Sequence, residues 1–260
     1  MALRAPRPTC YNGKKHDGRE TRVRLDKLLT TAGLTRAQAK RAVAEGRARV
    51  NGEAVRDAGL RVDGKQVLLD GRPVTEPGEV YWMLNKPAGV LTAVRDAREK
   101  TAFALLPEDV RRREPSPIGR LDRDVTGLLL FTTHGELLHR LISPRYAVEK
   151  VYIARVEGTP DASDAEKLAA GIAFSDFTAR PARLEVLEEG LVRLTVTEGR
   201  YHEVKRLLAA VGHPVSSLAR AAMGGVYLDA ALKAGEGRPL TDDEVARLLR
   251  AARLEANNHE

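Results

Sequence analysis

The stretch Gly119-Arg120-Leu121-Asp122-Arg123-Asp124-Val125-Thr126-Gly127-Leu128-Leu129-Leu130-Phe131-Thr132-Thr133 constrains this chain more than any other. Charged side chains at Arg120, Asp122, Arg123 and Asp124 run directly into Gly127–Phe131, which has no polar side chain. A short continuous apolar run reads as a strand buried on both faces, so its entry lies at the rim of a core. Carboxylates at such a rim are expensive to desolvate and are paired or functional. Taken alone, the stretch is either a solvated turn before a core strand or a catalytic loop aimed by a rigid element.

The longest apolar runs are only this long, so no helix is predicted to span a membrane. At 260 residues and 43% hydrophobic content, the chain can bury one large core or two smaller ones. The segment MALRAPRPTCYNGKKHDGRE lacks the apolar centre of a secretory signal. The single Cys10 cannot form an internal disulfide, and a reducing, cytoplasmic setting is expected. Charge is placed unevenly. Residues 1–61 hold 15 Lys/Arg against 6 Asp/Glu, a net of +9, and the remainder hold 28 against 30, a net of −2. A basic module on a near-neutral body is the footprint of a polyanion binder, because neutralising phosphates releases counterions.

Residues 1–21, rich in Pro, Gly, Lys and Arg, read as a disordered basic arm. Leu25, Leu28, Leu29 and Ala32 share one helical face, and Gly33 ends that helix. Thr35 and Gln38 stand at capping-box spacing and open a second helix to Glu45. Asn51-Gly52 between two short alternating runs predicts a hairpin. Residues 71–79 form a turn-rich linker before a second domain over 80–254, with a short tail at 255–260. In that domain strands are predicted at Val80–Leu84 and onward through Val90–Val94, at Leu128–Phe131, Val151–Val156 and Val226–Leu228, with a hairpin of Ala182–Leu187 and Leu191–Val196. Helices are predicted near 102–106, 137–142, 162–171, 202–211 and 242–254. The class is α+β, with a largely antiparallel mixed sheet and flanking helices. Six scattered histidines and one cysteine give no metal-ligand spacing.

Two short helices and a hairpin with basic side chains on one face resemble the alpha-L RNA-binding motif, named after a small-subunit ribosomal protein. The resemblance covers residues 22–70 and rests on Arg24-Leu25-Asp26-Lys27, Thr35-Arg36-Ala37-Gln38-Ala39, Gly46 and Val50-Asn51-Gly52. It implies RNA contacts from Arg24, Lys27, Arg36, Lys40, Arg41, Arg47 and Arg49. With no aromatic platform in this module, those contacts fall on phosphates and RNA shape rather than on base edges.

The opening stretch has companions: Leu84-Asn85-Lys86-Pro87, Ile142-Ser143-Pro144-Arg145, Glu149-Lys150-Val151-Tyr152, Arg180-Pro181-Ala182, Glu198-Gly199-Arg200-Tyr201-His202-Glu203-Val204-Lys205-Arg206-Leu207, Leu218, Arg220, Gly224-Gly225 and Gly237-Arg238-Pro239-Leu240-Thr241. In this order the set closely resembles the RNA pseudouridine synthases, and within them the RsuA-like branch that modifies small-subunit (16S) ribosomal RNA behind an alpha-L domain. The resemblance runs from about residue 22 to residue 250 and implies isomerisation of a uridine to pseudouridine with no cofactor and no metal. It implies ribosomal RNA as partner; a 23S or tRNA site, or a non-catalytic RNA-binding protein of the same fold, are the alternatives. A monomer is expected.

The resemblance makes Asp122 the nucleophile, able to attack either the ribose carbon or the uracil ring. It makes Lys205 the basic partner that keeps this carboxylate ionised in a dry pocket. Tyr152 then stacks on the flipped base and helps remove the proton from carbon 5. Leu218 packs on the other face of the ring, and Arg120 contacts a phosphate to help hold the nucleotide out of its stack. Asp124 is expected to be solvated or structural, and His202 to support the motif structurally. The chain departs from the family pattern at Val125, where threonine is usual, and at Thr133-His134, where Asn-Asp is usual. Both put the local turn geometry in question.

Overall fold

A computed structural model of the chain describes residues 23–62, 66–74, 78–94, 96 and 99–254. The basic arm expected over 1–21, Cys10 and the 255–260 tail lie outside the described residues. The chain divides into two units, one running to Val80 and including Pro107–Glu114, the other comprising Tyr81–Leu106 and the chain from Pro115 onward.

The first unit starts with β1 (Val23–Arg24) and α1 (Leu25–Leu29), extended by a 3-10 turn over Thr30–Ala32. Gly33 then closes it at φ 89°. Leu25, Leu28 and Leu29 are buried, whereas Ala32, expected on the same face, is exposed because the tighter turn rotates it away. Helix α2 (Arg36–Ala44) opens with the expected reciprocal cap. The Gln38 N–H donates to Thr35 Oγ1 at 3.2 Å, and the Thr35 N–H donates to Gln38 Oε1 at 2.8 Å. Strands β2 (Ala48–Val50) and β3 (Glu53–Ala54) form the predicted hairpin, with Asn51 and Gly52 at φ 53° and 86° as a primed turn requires.

Next, β4 (Arg61–Val62) pairs with β1, and β5 (Val67–Leu69) pairs with both β2 and β6 (Arg72–Val74). The last strand falls in the segment read from sequence as a linker. Asp70 and Gly71 take φ 51° and 75°, so they form a second tight turn rather than a loose connection. Pro73 is tolerated because β6 is an edge strand of the sheet β3-β2-β5-β6. Buried Val74 joins Leu25, Leu28, Leu29, Val43 and Val67 in one core. The short helix α3 (Glu108–Arg111) also belongs to this unit, although the sequence places it inside the second domain.

The second unit contains β7 (Tyr81–Lys86), β8 (Ser116–Pro117), β9 (Thr126–Thr132), α4 (Gly135–Ile142), β10 (Lys150–Val156), α5 (Ala162–Ala170), β11 (Arg183–Glu188), β12 (Leu191–Val196), α6 (Glu203–Ala210), β13 (Val215–Met223), β14 (Val226–Tyr227), β15 (Gly237–Pro239) and α7 (Asp242–Ala251). The sheet runs β11-β12-β10-β13-β9-β7-β15, with β14 on β13 and β8 on β9. Its pairs are antiparallel except β9 with β13, so the mixed, largely antiparallel sheet is as expected.

The sequence gives no reading of β13 as a strand, yet β13 is central. Val90–Val94, expected to continue a strand, do not: β7 ends before Pro87, and only Leu91 makes an isolated bridge, to Thr101. Leu128, Leu130, Leu137, Leu141, Val245 and Leu248 pack in one core between sheet and helices. Among the described residues no helix is long and apolar enough to cross a membrane.

The parallel β9–β13 contact sets the centre of this unit, and it depends on a glycine. Gly127 lies opposite Arg220 at φ 93°, and a Cβ there would meet the Arg220 carbonyl oxygen at 2.4 Å. We expect Gly127→Ala to destabilise the protein by about 2–4 kcal/mol through strain and overpacking, read as a lower urea midpoint at unchanged slope. A shift below about 0.5 kcal/mol would refute this reading of the strand contact.

Candidate active site

The loop 119–125 enters β9 next to the middle of β13 and is fastened at three points by the segment 86–92. Lys86, fully buried at the end of β7, donates to the carbonyls of Pro87 (3.0 Å), Arg123 (3.2 Å) and Val125 (2.8 Å). Three acceptors match the three N–H bonds of an ammonium. Burial lowers the Lys86 pKa to about 8, while Asp124 and Asp122 act in the opposite direction. The Gly89 N–H donates to the Arg123 carbonyl at 2.8 Å. Thr92 holds Leu121 twice: its hydroxyl donates to the Leu121 carbonyl at 2.8 Å and accepts from the Leu121 N–H at 3.1 Å. Both sequence neighbours of Asp122 are therefore fixed by their backbones.

Asp122 stands in an open cleft with Arg120, Tyr152, Lys205 and Leu218 among its lining residues. All five residues expected at the site thus share one cavity. Strand β10 supplies Tyr152, buried and paired between Leu194 and Arg220, and β13 supplies Leu218. Helix α6 supplies Lys205 from its first turn. Lys205 Nζ lies 3.6 Å from Asp122 Oδ2 but 2.8 and 2.9 Å from the two Asp124 oxygens. The lysine is therefore shared, and its closer partner is the carboxylate set aside as a neighbour in the sequence reading. The hydrogen bond from Lys205 holds the Asp124 carboxyl below its ordinary range. His202 Nε2 lies 3.5 Å from the same Asp122 oxygen, so the imidazole borders the carboxylate directly.

Under the cleft lies a set of buried charges. Glu198, Glu203, Lys150 and Arg220 are each less than 10% exposed. Burial, reinforced by Glu198, raises the Glu203 carboxyl pKa to about 7. Burial opposes ionisation of Glu198 as well, but the Arg180 N–H, donating at 2.8 Å, together with Glu203 and Arg200, outweighs it and keeps that carboxyl below its ordinary value. Glu203 Oε2 accepts from the Arg200 N–H at 3.0 Å. Arg220 Nε donates to the Leu128 carbonyl at 2.8 Å and ties β13 to β9. Lys150 Nζ donates to the Val148 carbonyl at 2.8 Å, and burial lowers its pKa to about 8. From sequence, none of these four is assigned a role in the site. For Glu203 a signal existed, since it shares a buried helical face with Val204, Leu207 and Leu208.

The two departures from the family pattern both sit in ordered surroundings. Val125 is buried and its carbonyl is one of the Lys86 acceptors. His134 is tied in place, with Nδ1 3.0 Å from the Tyr81 hydroxyl and its N–H donating to Thr132 Oγ1 at 3.0 Å.

In the first unit, all seven cations named in the sequence reading are exposed. Arg24 pairs with the buried Asp26 at 3.1 Å, with Arg36 3.7 Å from the same carboxylate. Arg41 is bound to Glu45, and Arg47 to Asp70. Arg49 donates to the Gly52 carbonyl. Lys27 and Lys40 make no ion pair among the described residues.

Comparison with known proteins gives concordant matches. A family model described as RNA pseudouridylate synthase matches residues 80–210, and one described as S4 domain matches residues 23–68. The chain is 42% identical to the ribosomal small subunit pseudouridine synthase A of Escherichia coli K12, over 87% of this chain and 100% of that protein. It is 39% identical to an uncharacterized RNA pseudouridine synthase of Bacillus subtilis, over 86% and 97%. A crystal structure of a pseudouridylate synthase superposes with a TM-score of 0.62 at 35% identity, covering 87% of this chain and 99% of that one.

The buried carboxyl of Glu203 has a consequence for stability. Its pKa rises from 4.5 to about 7 on folding, so the folded chain keeps a proton that the unfolded chain loses. The stabilisation is complete below pH 4.5 and is lost as pH rises through about 7. Glu203→Gln is uncharged at every pH. Relative to wild type, it should gain on the order of 2 kcal/mol between pH 5 and 8, measured by urea unfolding at each pH. Parallel wild-type and variant curves would contradict a protonated Glu203.

Proposed function

The chain belongs to the RNA pseudouridylate synthase family and carries an S4 domain on its N-terminal side, and from that premise we propose that it converts a uridine of 16S ribosomal RNA to pseudouridine with Asp122 as the nucleophile. The observation that carries the assignment of roles is the cleft itself. In it the Asp122 carboxylate faces Lys205 and His202 at 3.6 and 3.5 Å, between walls that include Tyr152 and Leu218. The small-subunit target is supported by 42% identity over the whole length of a relative named for that activity.

In the proposed reaction the bond from N1 of uracil to C1′ of ribose breaks, the ring turns, and C5 bonds to C1′. A proton leaves C5 and one is taken up at N1, so atoms and electrons balance within the nucleotide. A carboxylate that forms a covalent intermediate divides one difficult step into two. Lys205 supplies a counter-charge 3.6 Å from the Asp122 carboxylate. Tyr152 and Leu218 hold the ring from its two faces, with the Tyr152 hydroxyl available to the C5 proton. Arg120 takes a phosphate of the extruded nucleotide and so offsets part of the unstacking energy. The exposed cations of the S4 domain (Arg24, Lys27, Arg36, Lys40, Arg41, Arg47 and Arg49) hold RNA by its phosphates. The enzyme acts as a monomer in the cytoplasm.

Asp122→Asn should lower release of tritium from RNA uridine labelled at carbon 5 by at least about 1,000-fold, with RNA affinity and thermal midpoint near wild type. Equal inactivity of both forms on every RNA would sink the enzymatic reading. Mapping pseudouridine in cells lacking the gene should show a loss in 16S RNA, whereas a loss confined to 23S RNA or tRNA would overturn the target. Charge reversal at both Lys27 and Lys40 should weaken binding to the same RNA and reduce the slope of log affinity against log salt by about 1.5 to 2. An unchanged slope would take these two lysines off the RNA.

A further inference from the structure

Tyr201 is the most exposed large hydrophobic side chain among the described residues, at 73%. Its flanking residues Arg200 and His202 both line the cleft, whereas Tyr201 does not, so its ring stands at the rim. Successive side chains of an extended chain point to opposite faces. Here the backbone bends into the left-handed region at His202 (φ 51°), and the Tyr201 and His202 rings stack at 3.8 Å and 20°. One face of the tyrosine is thus supported by the imidazole that borders Asp122, and its exposure leaves the other face to solvent.

We propose that the outer face of Tyr201 is a stacking platform for the nucleobase adjacent to the target uridine. A base turned into the cleft leaves its neighbour without a stacking partner on that side. An aromatic ring at the rim, backed by a second ring, replaces that partner without reading the identity of the base. The inference rests on the reading that the cleft receives an extruded uridine, but not on the RNA from which that uridine comes.

The test uses a short RNA spanning whichever uridine the full-length wild-type enzyme is found to modify, with the flanking nucleotides made abasic one at a time. Tyr201→Ala should raise KM at least about tenfold, equivalent to about 1.4 kcal/mol, with kcat within about twofold. Tyr201→Phe should behave as wild type, and Tyr201→Leu, which keeps bulk without an aromatic face, should resemble alanine. Removing one flanking base should raise KM in the wild type but not further in Tyr201→Ala. Additive losses at both flanking positions would overturn the platform, as would leucine matching phenylalanine. A fall in kcat at constant KM would instead make Tyr201 a support for His202 and would equally overturn the proposal. Absence of wild-type turnover on every RNA is the separate failure of the enzymatic reading.

Discussion

The ammonium of Lys86 has no exposed surface and donates to the carbonyls of Pro87, Arg123 and Val125. The loop that presents Asp122 depends on it. A loop of charged residues at the mouth of an apolar strand would otherwise sample many conformations, each with backbone carbonyls that water can solvate. Placing one buried cation under two of those carbonyls makes a single arrangement much more favourable than the rest, because an unpaired buried ammonium is strongly penalised. The geometry of the cleft follows: with Leu121 held by Thr92 and Arg123 and Val125 held by Lys86, the backbone on both sides of Asp122 is fixed.

The same logic extends downward into the sheet. Gly127 lets β9 approach β13, and Arg220 joins the strands by donating to the Leu128 carbonyl. Tyr152 is seated beside Arg220 across the β10–β13 pairing, and Leu218 lies two residues earlier on β13. The cleft is therefore the place where three central strands and the start of α6 meet, not a depression added to the surface. Its electrostatics are layered. An accessible lysine shared by Asp122 and Asp124 lies above, and two buried glutamates with Lys150 and Arg220 lie below. The α6 helix is also held from outside, where Arg206 pairs with Asp176 at 2.5 and 2.9 Å and lies over the Phe174 and Phe177 rings.

Local chemistry made much of this legible beforehand. The Thr35–Gln38 cap, the Asn51-Gly52 turn and the Leu191–Val196 strand are each fixed by interactions within a few residues, and each is legible at its place. The Asp70-Gly71 turn carried the same kind of signal, but Pro73 and the surrounding turn residues made the segment look like a linker. Strand β13 is not legible in the sequence for a different reason. Its run Val215–Met223 mixes serine, arginine and alanine with few large apolar residues, because Ser216 and Ser217 are exposed and only Leu218, Arg220, Ala222 and Met223 are buried, one of them a charged side chain.

By itself, the sequence determined the two-part organisation, the basic character of the first part, the family, and the five residues expected in one cleft. Those follow from local periodicity, turn chemistry, charge and motif order, which chain neighbours carry. Only the tertiary structure decided which charges meet. Asp124 lies closer to Lys205 than Asp122 does, His202 borders the same carboxylate, Lys86 clamps the loop from 37 to 39 residues away, and Glu203 is buried against Glu198. Pairings of that kind depend on where separate strands bring their side chains, and on how much water packing leaves around each one, neither of which is encoded at the position of any single residue.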